Sequence, residues 1–151
     1  MIRGRFDHVG FTVSDMSRSV EWYEHLLRHA PLVRSRWDKP YLGTMVGYSG
    51  CDIEFAHFPL PGGGELELIQ YIEPAPGKID SETYNVGNGH LCLLVDDVHE
   101  EFERLHGRAA FRSSEPVAIP FGQNAGGFGL YLRDPDGITI ELIERRSGKR
   151  A

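Results

Sequence analysis

The sequence predicts an α+β fold built from two tandem βαβββ modules, and three observations lead there. First, a strand-like opening occurs twice at a constant separation of 82 residues (90 − 8 and 97 − 15): His8-Val9-Gly10-Phe11-Thr12-Val13 before Asp15, and His90-Leu91-Cys92-Leu93-Leu94-Val95 before Asp97. Second, the helix-spaced apolar positions Met16, Val20 and Tyr23 recur at the same separation as Val98, Phe102 and Leu105. Third, each opening is followed by strand-like stretches punctuated by glycine- and proline-rich turns.

Taken in order, Phe6 to Val13 alternates, with Val9, Phe11 and Val13 on one face and His8, Gly10 and Thr12 on the other. Ser14 or Asp15 can cap the helix that follows, because a short oxygen side chain accepts from backbone N–H groups that have no partner within the helix. Met16, Val20, Tyr23 and Leu27 make one helical face, and Pro31 ends the helix at the latest. Strands are expected near Leu42–Tyr48, Cys51–Phe58 and Glu65–Ile72, separated by Ser49-Gly50 and Pro61-Gly62-Gly63-Gly64.

Glu73 to Gly89, with Pro74, Pro76, Gly77, Gly87 and Gly89, reads as a linker. The order then repeats. A strand covers His90–Val95, and Asp96 or Asp97 caps a helix carrying Val98, Phe102 and Leu105, which Gly107 stops. Strands are expected near Ala110–Arg112, Val117–Ile119, Gly127–Arg133 and Ile138–Glu144, the last two joined by the turn Asp134-Pro135-Asp136-Gly137. The glycine-rich run Gly122 to Gly129 lacks the lysine and following helix of a phosphate loop, so it reads as a flexible loop beside a pocket or a plain connection. The expected organisation is one domain over 1–151, with module 1 over about 5–73, a linker over about 74–88 and module 2 over about 89–145.

With 151 residues, 40% apolar and 25% charged, the composition is that of an ordinary globular protein. A net charge of −6 argues against a nucleic-acid partner, which demands clustered positive charge. The basic end, Arg145, Arg146, Lys149 and Arg150, reads as a frayed tail. No apolar run approaches a membrane span, and the N-terminus lacks the apolar core of a signal peptide. Cys51 and Cys92 read as reduced core residues, so a cytoplasmic location is expected.

The chemistry is carried by the last strand of each half, where a glutamate interrupts apolar sequence: Leu66-Glu67-Leu68-Ile69 and Ile140-Glu141-Leu142-Ile143. Strand alternation turns Glu67 and Glu141 away from the face that packs under the helix, and does the same for His8 and His90. Taken singly, a strand histidine is usually structural and a strand glutamate usually faces solvent. All four at equivalent positions of a repeat favour a common role. Ionised carboxylates near a protein interior are costly unless paired or bound to a cation, and two imidazoles with two carboxylates suit a divalent metal. The interval from His8 to Glu67 is longer than that from His90 to Glu141 by eight residues (59 and 51), a difference that one loop accounts for. Glu65 competes with Glu67 because it shares its face; Glu67 matches Glu141 more closely. Glu54 is a further candidate. His25, His29, His99 and His106 read as surface groups, and His57, at the end of a strand, carries no assigned role. A Cys92–histidine nucleophile pair is conceivable but lacks a supporting motif.

These residues resemble the vicinal oxygen chelate superfamily, which includes lactoylglutathione lyase, methylmalonyl-CoA epimerase, extradiol dioxygenases and bleomycin-resistance proteins. The resemblance runs from Phe6 to about Glu144. It rests on His8 in Asp-His-Val-Gly-Phe-Thr-Val, on Ser19-Val20-Glu21-Trp22-Tyr23, on Glu67, on His90, and on Tyr131-Leu132-Arg133-Asp134-Pro135-Asp136-Gly137 leading to Glu141. It implies two βαβββ modules whose mixed sheets form a cup-shaped, barrel-like site around one divalent ion (zinc, nickel, cobalt, manganese or iron) held by His8, Glu67, His90 and Glu141. It also implies a small-molecule substrate and a homodimer. The set matches that of lactoylglutathione lyase, whereas the epimerase has glutamine at the place of Glu67. The chain lacks the Asn-x-Gly that typically follows this glutamate in glutathione-using lyases, which speaks against glutathione.

The expected activity is that of a metal-dependent lyase or isomerase on a substrate with vicinal oxygens. The ion would stabilise an enediolate, and Glu67 or Glu141 would move the α-proton. Two alternatives are an Fe(II)-dependent extradiol-type dioxygenase, using His8, His90 and one glutamate, and a non-catalytic drug-binding protein of the bleomycin-resistance type.

Overall fold

The structure, a computed structural model, describes residues 3–146. These divide into two compact units on either side of the Ile79–Asp80 bond. Lys149 and Arg150 of the basic tail lie outside the described residues. Arg145 does not fray: its Nε donates to Asn124 Oδ1 at 3.1 Å. Among the described residues no helix is long and apolar enough to cross a membrane.

The first unit runs β1 (His8–Thr12), α1 (Met16–Leu27), β2 (Val33–Trp37), α2 (Pro40–Val46), β3 (Asp52–Pro59), β4 (Glu65–Glu73). Its sheet has the order β1-β4-β3-β2, with β1 parallel to β4 and the other pairs antiparallel. The second unit runs β5 (His90–Leu94), α3 (Val98–Leu105), β6 (Ala110–Phe111), β7 (Val117–Ala118), β8 (Phe128–Arg133), β9 (Thr139–Glu144). Its order is β5-β9-β8-β6, with β5 parallel to β9 and with β7 also pairing β8. Each sheet is mixed and open rather than closed into a barrel.

The helices begin as their sequence dictates. Asp15 caps α1 by accepting from Arg18 N at 3.0 Å, and Asp97 caps α3 by accepting from His99 N and Glu100 N at 2.9 Å each. A second acceptor reaches each helix start from the last strand of its own sheet. Gln70 Oε1 takes Met16 N at 2.7 Å, and Glu144 Oε2 takes Val98 N at 3.1 Å. Gln70 and Glu144 each follow the key glutamate of their half by three residues, so this device is duplicated too.

The cores lie between helix and sheet. Met16, Val20, Tyr23 and Leu26 of α1 are buried, and Tyr23 meets Phe58 of β3 with ring centres 6.3 Å apart. Leu26, rather than the expected Leu27, completes the buried face. Ala56, Phe58, Leu66 and Leu68 supply the sheet side. In the second unit Val98 and Leu105 share the core with Leu130, Leu132, Ile140 and Leu142. Each fully buried leucine contributes about 1.5–3 kcal/mol by leaving water.

Two expectations are corrected. The Leu42–Tyr48 stretch is not a strand: Pro40–Val46 forms α2, with proline in its first turn and Gly47 at φ 81° ending it in the left-handed region. Leu42 and Val46, four apart, pack with Cys51, Ile53 and Phe55, which makes a helical face of what reads as a half-apolar strand. The true second strand is Val33–Trp37, whose alternation is masked by Arg34 and Arg36. Those arginines pair with Glu54 and Asp52 of β3 at 2.6 Å each. Among the described residues the second unit has no counterpart of α2, so the eight-residue difference lies between helix and third strand.

The Asp134–Gly137 turn forms as expected. Asp134 Oδ1 accepts from Asp136 N at 2.9 Å and Ile138 N at 2.7 Å, and Gly137 takes φ +87°. The glycine-rich run is a connection: its backbone bonds, Ile119 N to Gly127 O and Gly126 N to Ile119 O, close β7 onto β8. A Cβ on Gly127 would stand 2.0 Å from Glu144 O, so this position requires glycine.

Candidate metal centre

Register fixes which side chains share the face turned away from α1 in the first sheet. On β1 and β4, His8 pairs with Glu65 and Gly10 with Glu67; on β3 and β4, His57 pairs with Glu67. His8 Nε2 lies 3.4 Å from Glu67 Oε2. The imidazole is 41% exposed and the carboxylate 19%, so an open nitrogen stands over a recessed anion. His8 Nδ1 is bonded to Asp7 Oδ2 at 2.8 Å. A carboxylate on one ring nitrogen orients the other toward a metal. The Asp7 hydrogen bond raises the His8 pKa above its ordinary value; partial desolvation opposes this and Glu67 adds to it.

The second sheet repeats the arrangement. His90 pairs with Thr139 and Cys92 with Glu141. His90 Nε2 lies 3.0 Å from Glu141 Oε2, with side-chain exposures of 39% and 18%. Both halves thus show the same register, exposure and pairing of one imidazole with one glutamate. The register also separates Glu67 from Glu65. The strand partner of His8 is Glu65, while that of His90 is Thr139, so Glu67 is the counterpart of Glu141.

Other expected groups are placed differently. Glu54 pairs in register with Gln70, which caps α1, and so faces the helix side, where it meets Arg34. Cys51 is buried, but Cys92 is exposed, a correction to its reading as a core residue. Its strand position puts it beside Glu141, and burial of the sulfur followed by the hydrogen bond to Glu141 pushes the thiol up to about 11. That shift works against the Cys–His nucleophile pair, which needs a thiolate.

Three residues that sequence reading leaves without a role join these groups. His57 Nδ1 bonds Glu65 Oε2 at 2.7 Å, and its Nε2 lies 3.2 Å from Glu67 Oε1. Tyr131 reaches His90 Nε2 with its hydroxyl at 3.5 Å, and desolvation, then the Glu141 charge, raises its pKa. Asp7 is the third. A signal for two of them is in the sequence: His57 and Tyr131 each precede the glutamate of their half by ten residues, the reach of a hairpin.

A different trio, Asp97, His99 and Glu144, brings ligand-type atoms within 4.8 Å of one another. Asp97 and Glu144 are already occupied with the N-terminal amides of α3, which accounts for their position without an ion.

The donor chemistry on the two site faces fits a divalent cation: imidazole nitrogen and carboxylate oxygen, paired at 3.4 and 3.0 Å, with the imidazoles open to solvent.

A sequence profile of the Glyoxalase/Bleomycin resistance protein/Dioxygenase superfamily matches residues 5–142. The chain belongs to this superfamily. Among glyoxalase-superfamily relatives, a probable chloroplastic lactoylglutathione lyase of Arabidopsis thaliana is 29% identical over 93% of the chain. The chain spans only 36% of that relative's length. A lactoylglutathione lyase of Neisseria meningitidis (strain Z2491) is 27% identical over 95% of this chain and 93% of its own. Among solved structures, a glyoxalase family protein from Bacillus cereus superposes with a TM-score of 0.79 at 22% identity, covering 93% of both chains. That likeness establishes the fold of this superfamily member; the reaction has to be argued from its site.

Proposed function

We propose that this superfamily member is a metal-dependent lyase or isomerase acting on a small molecule with two vicinal oxygens. The observation that carries the reading is the duplicated imidazole–glutamate pair, at 3.4 Å in one half and 3.0 Å in the other, at equivalent register positions. His8, Glu67, His90 and Glu141 would hold one divalent ion, which when bound supplies Lewis acidity to the substrate oxygens. The relatives named lactoylglutathione lyase support the same reaction class.

The residues divide the remaining work. A carboxylate oxygen of Glu67 or Glu141 takes the proton from the carbon next to the substrate carbonyl. Returning it to the neighbouring carbon isomerises the substrate; returning it to the opposite face epimerises it. Cys92 and Tyr131, both kept protonated, present S–H and O–H groups beside Glu141. The strand register fixes each carboxylate beside its imidazole on one face, so less ordering is left for the moment of proton transfer. The free cysteines suit a reducing compartment, so we place the reaction in the cytoplasm, with homodimerisation as part of the same proposal.

The test is proton exchange. Protein loaded with Co(II), Ni(II) or Zn(II) is incubated in D2O with a panel of α-hydroxy and α-oxo carbonyl compounds. Deuterium is expected at the α-carbon of at least one, and Glu67→Gln or Glu141→Gln is expected to cut its uptake by about 100-fold or more, the usual contribution of a general base. No deuterium with any compound, together with oxygen consumption by the Fe(II) form on a catechol, would replace this reading with the dioxygenase one.

A further inference from the structure

His57 and Tyr131 occupy the same place in the repeat. His57 is the strand partner of Glu67, and Tyr131 is the strand partner of Glu141. Direct cross-strand neighbours on one face are the closest side-chain contacts a sheet offers. In the first half the two Glu67 oxygens are divided between two imidazoles. Oε2 faces His8 Nε2 at 3.4 Å and Oε1 faces His57 Nε2 at 3.2 Å. His57 is itself pinned from behind, by Glu65 Oε2 on its Nδ1 at 2.7 Å and by Phe55, whose ring meets it edge-on at 5.7 Å. The His57 and Glu67 side chains are each 19% exposed, so water offers little competition for that contact. In the second half the Tyr131 ring lies 5.4 Å from that of His90, and its hydroxyl stands 3.5 Å from His90 Nε2, beside its strand partner Glu141.

We propose that His57, backed by Glu65, is a positioning residue that holds Glu67 Oε1 so that Oε2 is presented on the His8 side, and that Tyr131, from the same register position, positions the His90–Glu141 pair. This rests on the reading of Glu67 and Glu141 as metal ligands. The two halves use different chemistry for one task. An imidazole held by a carboxylate serves Glu67, and a phenol serves the His90–Glu141 pair, so the two glutamates are not interchangeable.

The experiment measures Co(II) affinity of the full chain by chelator competition, with the melting temperature of the metal-free protein followed alongside. Asparagine and glutamine separate the two ring nitrogens: the glutamine amide reaches the place of Nε2, and the asparagine amide reaches only that of Nδ1. His57→Asn is expected to weaken Co(II) binding 10–100-fold, the usual effect of losing an outer partner of a ligand. His57→Gln is expected to stay within a few-fold of wild type, and Glu65→Gln and Tyr131→Phe to fall between. Equal, undiminished affinity in His57→Asn, with only the melting temperature lowered, would make the residue merely structural and overturn the inference alone. Equal loss in both substitutions would mean that the imidazole ligates directly, which also overturns it. Failure of the wild-type chain to bind Co(II), with no further effect of Glu67→Gln, would remove the ligand reading itself and the inference with it.

Discussion

Asp7 is the residue whose effect on the site is most directly measurable. Its Oδ2 lies 2.8 Å from His8 Nδ1 and is the main reason the imidazole holds its proton more tightly than usual. A histidine whose folded-state pKa is raised stabilises the fold fully below its unfolded value of about 6.5, and that contribution fades as pH rises through the folded value. Both partners are exposed enough for solvent to screen the pair, so the consequence for stability is small. The consequence for the proposed ligation by His8 is larger, because a proton on Nε2 would compete directly with a metal. Metal uptake by the chelator-treated protein is therefore expected to improve as pH rises through the His8 midpoint. Asp7→Asn is expected to move that midpoint down toward 6.5, read from the ring resonances of His8 by NMR in the metal-free protein. An unmoved midpoint would assign the shift to Glu67 instead.

At the scale of elements, α3 shows how a cluster of acidic groups arises without an ion. Asp97 accepts two amides, and Glu144 accepts the amide of Val98 from the neighbouring strand. Asp97→Ala is expected to cost about 1 kcal/mol of stability, the usual loss of an N-cap, and to leave metal stoichiometry unchanged. Denaturant unfolding with metal analysis on the same samples checks both halves of that statement. Both caps were legible to within one residue, because Ser14-Asp15 and Asp96-Asp97 sit just ahead of a helix-spaced apolar series. The same logic failed at α2. A seven-residue helix with one buried leucine gives too short a period to tell from a strand, and Arg34 and Arg36 hid the alternation of β2. The glutamates were legible because both their neighbours are apolar. His57 was not: on β3 the buried residues fall on both faces, so alternation no longer says which side a polar residue takes.

At the scale of the whole molecule, the repeat makes a demand that neither half meets alone. In the proposed site each half would offer one imidazole and one glutamate, whereas a protein site that keeps a position open for substrate ordinarily needs three protein ligands. The proposed single ion, drawing on both halves, has a signature in stoichiometry. Saturated wild-type protein is expected to carry one equivalent of divalent metal per chain, measured by elemental analysis after gel filtration. Glu67→Gln and Glu141→Gln, each alone, are expected to weaken that single equivalent strongly, leaving no tight residual site. Independent half-sites would behave differently: two equivalents in the wild type, and one retained at full affinity in either variant. Mixing the two single variants then distinguishes how the halves are shared. Binding restored to about a quarter of an equivalent per chain would assign the ligands of one ion to different copies, because about half of the chains form mixed pairs and one of the two sites in a mixed pair regains all four groups. No restoration would assign them to a single chain. Two equivalents in the wild type would sink the shared ion under either arrangement.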